Sequence, residues 1–266
     1  MERLRLFKYP GSKNSLLEPV IELFRKSECA VFVDLFGGSG YVSLNIPSGK
    51  IVFNDISEDV FRVFLTIKTR PEPLLRELQE AFHAGLIERR SPQVAESNIR
   101  DWVSRRKLDT DLSSALLTIV KHTISFGGDG NTYGTREKAV IPYARKTIQM
   151  FPEIAKRVSG WVIENHDFEQ IIRKYDSDSV FFYLDPPYGS KRWYKDSFSP
   201  DDYIRMKESL HNIRGKYVIN FDYGDQNLLK IFGDPDFIYE VEDRNQNPIT
   251  GHRSPRRYYF STNFLR

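Results

Sequence analysis

The sequence predicts an α/β fold, a mostly parallel sheet with helices on both faces, and three observations predict it. Short apolar runs of strand length recur along the 266 residues. Segments with helical spacing lie between them. The first run ends in a glycine cluster, as a buried strand does when it feeds a tight turn into a helix.

The elements follow in chain order. Leu16 to Phe24 has helical spacing, and Ala30-Val31-Phe32-Val33-Asp34-Leu35 is the first strand. Ile51-Val52-Phe53-Asn54-Asp55 is the second, after which Ser57 and Glu58 open a helix through Phe61, Phe64 and Leu65. Trp161-Val162-Ile163-Glu164 is a weaker third strand, followed by a helix from Phe168 to Tyr175. Val180-Phe181-Phe182-Tyr183-Leu184 is the most apolar run and the fourth strand, with a helix from Asp201 to Leu210 after it. Lys216 to Phe221 makes the fifth strand, and Phe237–Val241 and Arg257–Ser261 suit a late antiparallel pair.

Residues 70–150 break this alternation. They open with Pro71 and Pro73 and continue with charged helical patterns bearing Arg89, Arg90, Arg100, Arg105, Arg106 and Lys107. The glycine-rich stretch Phe126 to Gly134 follows. Because sheet strands flank this segment, the expected organisation is a catalytic domain of residues 1–69 and 151–266 with an inserted, mostly helical lobe at 70–150.

Composition narrows the function classes. A formal net charge of +3 permits a nucleic-acid partner without demanding one. The single cysteine, Cys29, excludes a disulfide framework and any multi-cysteine zinc site. No apolar stretch approaches the ~20 residues of a membrane span, and Met1 to Arg5 lacks the apolar run of a secretory signal. The expected setting is the cytoplasm.

Two turns carry the chemistry. Phe36-Gly37-Gly38-Ser39-Gly40 follows the first strand, and Asp55 ends the second, where an acid can accept hydrogen bonds from ribose hydroxyls. Tyr41-Val42-Ser43 after Gly40 departs from the dinucleotide fingerprint, so pyrophosphate binding is not favoured. On its own the cluster is either a ligand loop or a tight turn.

Asp185-Pro186-Pro187-Tyr188 follows the fourth strand. Two prolines fix φ and remove two N–H donors. The loop is therefore a stiff mount for a carboxylate, free carbonyls and an aromatic ring at the strand's carboxyl end. Those groups suit the exocyclic amine of adenine, a poor nucleophile because its lone pair is delocalised into the ring. Hydrogen-bond acceptors on its two N–H bonds favour a tetrahedral nitrogen whose lone pair can be aimed, which is positioning and electrostatics without a covalent intermediate. A base in duplex DNA must be flipped out for this, and Tyr188 offers it a stacking surface.

Phe-x-Gly-x-Gly after the first strand with Asp-Pro-Pro-Tyr after the fourth resembles the amino-methylating DNA methyltransferases, and the chain is similar over essentially its whole length to the DNA adenine methylase (Dam) family. Tyr9-Pro10-Gly11-Ser12-Lys13 resembles that family's Gly-Lys element, and Asn165-His166-Asp167-Phe168 its Asp-Phe element. The resemblance implies a Rossmann-like methyltransferase sheet that uses S-adenosylmethionine to methylate adenine N6 in double-stranded DNA. It places Tyr9, Lys13, Asp34, Phe36, Gly38, Gly40, Asp55, Asp167, Phe168 and Asp185 around the cofactor. Asp185, Pro186, Pro187 and Tyr188 would hold the target base. Read from the residues alone, Asp167 serves equally as a helix N-cap, Phe168 as a core residue and Lys13 as a surface lysine.

The family's target-recognition lobe falls at residues 70–150, with a hairpin near Phe126 to Arg136. Candidate DNA contacts are Lys121, His122, Asn131, Tyr133, Arg136 and Lys138, with Arg136 suited to guanine and Asn131 to adenine. Lys191 and Arg192 sit among aromatic residues after the catalytic loop, and Arg256 lies in a late basic group. Charged residues in such segments otherwise form a solvated face. A monomer, in some systems beside a cognate restriction endonuclease, in a bacterial, archaeal or phage-infected cell, completes the expectation.

Rival chemistries fit less well. C5-cytosine methylation needs a thiol, and Cys29 lies far from the Pro-Pro loop. N4-cytosine enzymes usually resemble Ser-Pro-Pro-Tyr, and methylation of RNA or of protein glutamine goes with Asn where this chain has Asp185. A non-catalytic DNA-binding module leaves a cofactor site beside an intact catalytic loop unexplained, and a nucleotide-dependent oxidoreductase is the remaining rival, which thermal shift with S-adenosylmethionine against NAD separates.

Overall fold

The computed structural model describes residues 2–9, 15–47, 49–84, 92–125, 137–187, 198–222, 226–241 and 256–265, in two compact units. The first unit comprises residues up to Asn14 together with Gly37–Asn165, and the second Ser15–Phe36 with His166–Arg266.

In the first unit β2 (Lys50–Asn54) and β3 (Val162–Glu164) run parallel, Val52 opposite Val162 and Asn54 opposite Glu164. The helices are α2 (Tyr41–Asn45), α3 (Glu58–Thr69), α4 (Pro71–His83), α5 (Pro92–Arg106), α6 (Thr110–Ile124) and α7 (Glu137–Val158). On α3, Val60, Val63, Phe64 and Ile67 repeat at helical spacing and are all buried. Phe64 meets Phe53 of β2 at 4.3 Å between ring centroids and Trp161 at 5.7 Å, an aromatic core under the strand pair. α6 begins at Asp109, whose side chain caps the N–H of Leu112 at 3.1 Å. Glu77, buried on α4, is matched by Arg106 of α5 at 2.8 Å. The N-terminal segment is tied in by Thr147 of α7, which donates to the Leu6 carbonyl at 2.9 Å, and by Asn45, which bonds both backbone groups of Leu4 at 2.8 and 2.9 Å. Among the described residues, the expected lobe consists of helices, α4 to α7, which share their unit with β2 and β3.

In the second unit β1 (Val31–Asp34), β4 (Val180–Leu184) and β5 (Lys216–Asp222) form a parallel ladder with β4 in the middle. β7 (Arg256–Thr262) pairs antiparallel with β5 on one side and with β6 (Phe237–Val241) on the other. β4 is buried along its whole length, as its unbroken apolar run demands. The unit's helices are α1 (Leu17–Ser27), α8 (Phe168–Tyr175), α9 (Pro200–Leu210) and α10 (Gln226–Phe232). The α/β class and the late antiparallel pair agree with the sequence. The short helices α2 and α10 were not legible in it. Among the described residues no helix is long and apolar enough to cross a membrane.

Candidate active site

In the first unit the glycine turn and Asp55 form one hydrogen-bonded assembly. The Asp55 carboxylate, 8% exposed, accepts the Gly38 N–H at 2.7 Å through one oxygen and the Ser57 N–H at 2.8 Å through the other. Gly37 donates to the carbonyl of Asn54, the last residue of β2, at 2.8 Å. Asn165 donates to the carbonyls of Asp55 and Ile56 at 2.8 and 3.0 Å and so fixes the backbone beyond β2. Ile56 stands 53% exposed beside the buried acid.

The glycines are each required by a neighbour. A Cβ on Gly37 would fall 2.1 Å from Phe53, and one on Gly40, whose φ is +67°, would fall 2.5 Å from Phe64. One on Gly38 would fall 3.0 Å from the ring of Tyr9. Tyr9 in turn packs on His122 near the end of α6, ring centroids 5.1 Å apart, and His122 stacks on Phe7 at 5.4 Å. Packing alone therefore demands small residues here, whether or not a ligand approaches. Lys121, the neighbour of His122, is half-buried in the last turn of α6.

In the second unit Asp34 is buried at the end of β1, opposite Tyr183 in the ladder. Burial, with the Asp185 and Asp34 carboxylates and Tyr258 nearby, drives the Tyr183 phenol well above its ordinary pKa, so it stays neutral. Phe36, just after β1, closes a three-ring cluster with Phe168 and Phe198. Phe36 lies 6.1 Å from Phe168 and 5.7 Å from Phe198, and Phe168 and Phe198 are 5.7 Å apart. Asp167 is the N-cap of α8, accepting the Glu169 N–H at 3.0 Å, and Phe168 is buried behind it. The capping and core roles open to these two residues are thus both filled.

Arg205 of α9 braces this corner. It donates to Asp167 at 3.0 Å, Glu169 at 2.9 Å and Asp202 at 2.7 Å, and its guanidinium lies 4.9 Å from the centroid of the Phe168 ring. The bonds to Glu169 and Asp167 raise its pKa further above the ordinary arginine value.

β4 delivers Asp185 to the carboxyl end of the parallel ladder. The half-buried Asp185 accepts a hydrogen bond on Oδ1 from Nδ2 of Asn220, on β5, at 3.0 Å. The Tyr203 hydroxyl, on α9, donates to the Pro187 carbonyl. The side of the Tyr203 ring meets Phe198 at 4.8 Å between centroids. The Asp-Pro-Pro segment is held from a strand and from a helix, with Pro186 buried between.

Of the expected site residues, Asp34, Phe36, Asp167, Phe168, Asp185, Pro186 and Pro187 lie in the second unit, and Tyr9, Gly38, Gly40, Asp55 and Lys121 in the first. Lys13, Tyr188, Asn131, Tyr133, Arg136, Lys191 and Arg192 lie outside the described residues, as do the side chains of Lys138 and Arg256. Asn220, Tyr203, Arg205 and Phe198 were missed, and Asn165 was placed within the Asp-Phe element without a role of its own. Of the four missed residues, only Asn220 left a sequence signal, a lone amide inside the apolar run Tyr217 to Phe221.

The model of the D12 class N6 adenine-specific DNA methyltransferases matches residues 9–244. The chain is 25% identical over 189 residues to the type II methyltransferase M.FokI of Planomicrobium okeanokoites, which covers 68% of this chain but 28% of that protein. The modification methylase StsI of Streptococcus sanguinis is 23% identical over 194 residues, 68% of this chain and again 28% of that protein. The chain thus spans little more than a quarter of these two relatives. It is 23% identical to a DNA adenine methylase of Salmonella typhi over 229 residues, 80% of this chain and 78% of that one. With the glycine turn anchored by Asp55 in one unit and the braced Asp-Pro-Pro segment in the other, this chain belongs to the D12 class N6 adenine-specific DNA methyltransferase family.

Proposed function

We propose that the chain transfers a methyl group from S-adenosylmethionine to the N6 amine of an adenine flipped out of double-stranded DNA. The observation that carries this reading is Asp185. It follows a fully buried central strand, is stiffened by two prolines and is tied to Asn220 at 3.0 Å, so its carboxylate is held in place at the end of the ladder. Asp185 and the Pro186 carbonyl accept the two N6 hydrogens, and Tyr188 stacks on the base.

The residues present fit the cofactor. In the first unit a buried carboxylate and an exposed isoleucine stand side by side at a glycine turn, a donor-accepting edge and an apolar face suited to a nucleoside. Asp55 would hold the ribose, Asp167 and Phe168 the adenine ring, and Phe36, Gly38 and Gly40 the methionine part, with Tyr9, Lys13 and Asp34 alongside. When bound, the cofactor supplies a methyl group on a positively charged sulfonium. The chain's own residues then aim the amine and exclude alternative geometries.

Residues 70–150 would read the DNA through Lys121, Asn131, Tyr133, Arg136 and Lys138, with Lys191, Arg192 and Arg256 on backbone phosphates. Relatives named a type II methyltransferase and a modification methylase support a modification role, with a cognate endonuclease as partner. The enzyme would act as a monomer in the cytoplasm.

The test is transfer of labelled methyl from S-adenosylmethionine to DNA of a methylation-deficient host, followed by nucleoside analysis for N6-methyladenine. Asp185→Asn keeps the shape and removes the charge, and its turnover should fall at least about 10²-fold, as for loss of one preorganised transition-state contact. Near wild-type turnover in Asp185→Asn would overturn the reading.

A further inference from the structure

We infer that Asn220 is a positioning residue for methyl transfer, acting through the Asp185 carboxylate. The inference rests on the proposed catalytic role of Asp185.

β4 and β5 are parallel, and their ladder ends with Leu184 opposite Ile219. Asp185 and Asn220 are the next residues on each strand, so the register itself sets the two side chains beside one another. Asn220 is fully buried, and its Nδ2 donates to Asp185 Oδ1 at 3.0 Å. Only the nitrogen of an amide can donate to a carboxylate, which settles the orientation of the Asn220 side chain. A buried amide inside the apolar run Tyr217 to Phe221 is costly unless it is bonded, and this bond goes to the residue on which the chemistry depends.

The bond has two effects. It restricts rotation about the last torsion of Asp185, which is otherwise broad for a carboxylate. It also commits Oδ1 to Asn220, which fixes where the other carboxylate oxygen lies relative to the incoming amine. Loss of that constraint is felt when the nitrogen becomes tetrahedral and needs an acceptor in line with its N–H. The effect therefore falls on turnover rather than on ligand binding.

The experiment uses the full chain in four forms: wild type, Asp185→Asn, Asn220→Ala and Asn220→Asp. Each is assayed with labelled S-adenosylmethionine and DNA from a methylation-deficient host, with urea unfolding and calorimetric cofactor binding on the same samples. In Asn220→Ala, kcat should fall about 10- to 100-fold, the rate equivalent of one hydrogen bond to a charged group, while cofactor affinity and KM for DNA stay within about twofold.

Asn220→Asp separates positioning from packing. Two carboxyl groups in contact share one proton. While the introduced carboxyl group is protonated it can donate to Asp185 as the amide does, and once ionised it cannot. The ratio of variant to wild-type kcat should therefore fall as pH rises from about 4.5 to 8.5, the range over which a shared carboxyl proton is lost, in one preparation of one folded protein. Tyr183 and Asp34 are the other titratable groups in this cluster, with Tyr258 on β7. All are common to both proteins, and the introduced carboxyl group is the one added.

Wild-type kcat in both Asn220 variants, with Asp185→Asn inactive, would overturn the inference and leave the catalytic role of Asp185 standing. A pH-independent ratio in Asn220→Asp, or a kcat loss in Asn220→Ala matched by an equal loss of cofactor affinity, would overturn it too by marking Asn220 as structural. An active Asp185→Asn would instead overturn the underlying reading.

Discussion

Replacing Asp55 with alanine should lower stability and cofactor affinity together, and the size of the first effect follows from the bonds the carboxylate makes. Asp55 accepts the backbone N–H of Gly38 at 2.7 Å and that of Ser57 at 2.8 Å. Loss of a hydrogen bond to a charged group costs roughly 1.5–3 kcal/mol. Two such bonds give roughly 3–6 kcal/mol as an upper range, because neighbouring losses do not add fully. Against the roughly 5–15 kcal/mol that hold a domain folded, the variant should still fold in water but unfold at much lower urea. Asp55→Asn should lose about half as much, since its amide oxygen can keep one bond while its NH₂ opposes the other donor. Urea unfolding followed by tryptophan fluorescence measures the first effect, with Trp161 in the adjoining aromatic core as reporter. Calorimetry with S-adenosylmethionine on the folded variants measures the second, where a further ~10- to 100-fold loss of affinity is expected if the same carboxylate also holds ribose hydroxyls. Unchanged urea midpoints in both variants would refute the anchoring role. Unchanged cofactor affinity in a folded Asp55→Ala would refute the ribose assignment alone.

Two further outcomes follow from the same structure. Gly40→Ala should destabilise the protein by roughly 2–5 kcal/mol, combining a left-handed φ of +67° with a Cβ 2.5 Å from the buried Phe64 ring, and a urea midpoint equal to wild type would contradict it. Asp109, capping α6, has its carboxyl held below the ordinary 3.8 first by the bond from Arg70 and then by that from the Leu112 N–H. Its stabilisation should therefore be complete above the ordinary carboxyl range and vanish as pH falls through the lowered value. Asp109→Ala should cost about 0.5–2 kcal/mol at neutral pH and progressively less as pH falls below the ordinary carboxyl range, as a series of urea titrations would show.

What the sequence made legible follows from where the information sits. Strands such as Val180–Leu184 and the helix Phe168–Tyr175 are local: an unbroken apolar run, or an acid at the N-cap before helical spacing, is visible in a few adjacent letters. The same holds for Asp55 and Asp185, each at the end of such a run. Asn220, Arg205 and Tyr203 act on residues 16 to 38 positions away, through a strand register and a helix face that no short window contains. α7 was obscured differently. It passes through Pro142 and Pro152, each of which removes a backbone donor and reads as a helix break. α2 and α10, of five and seven residues, are too short for a helical period to emerge.

The fit of Gly37 against Phe53 and of Gly40 against Phe64 bears on how such a chain can diverge. Each glycine is half of a lock-and-key pair whose other half is an aromatic ring on a different element, and the two rings touch each other. A larger residue at 37 becomes tolerable only after the ring at 53 has shrunk, and shrinking that ring exposes a void beside Phe64 and Trp161. Change at these positions must therefore come in concerted sets. In related chains, departures from glycine in the turn should arrive together with smaller side chains at the positions of Phe53 and Phe64, so that the four sites drift as one unit of inheritance.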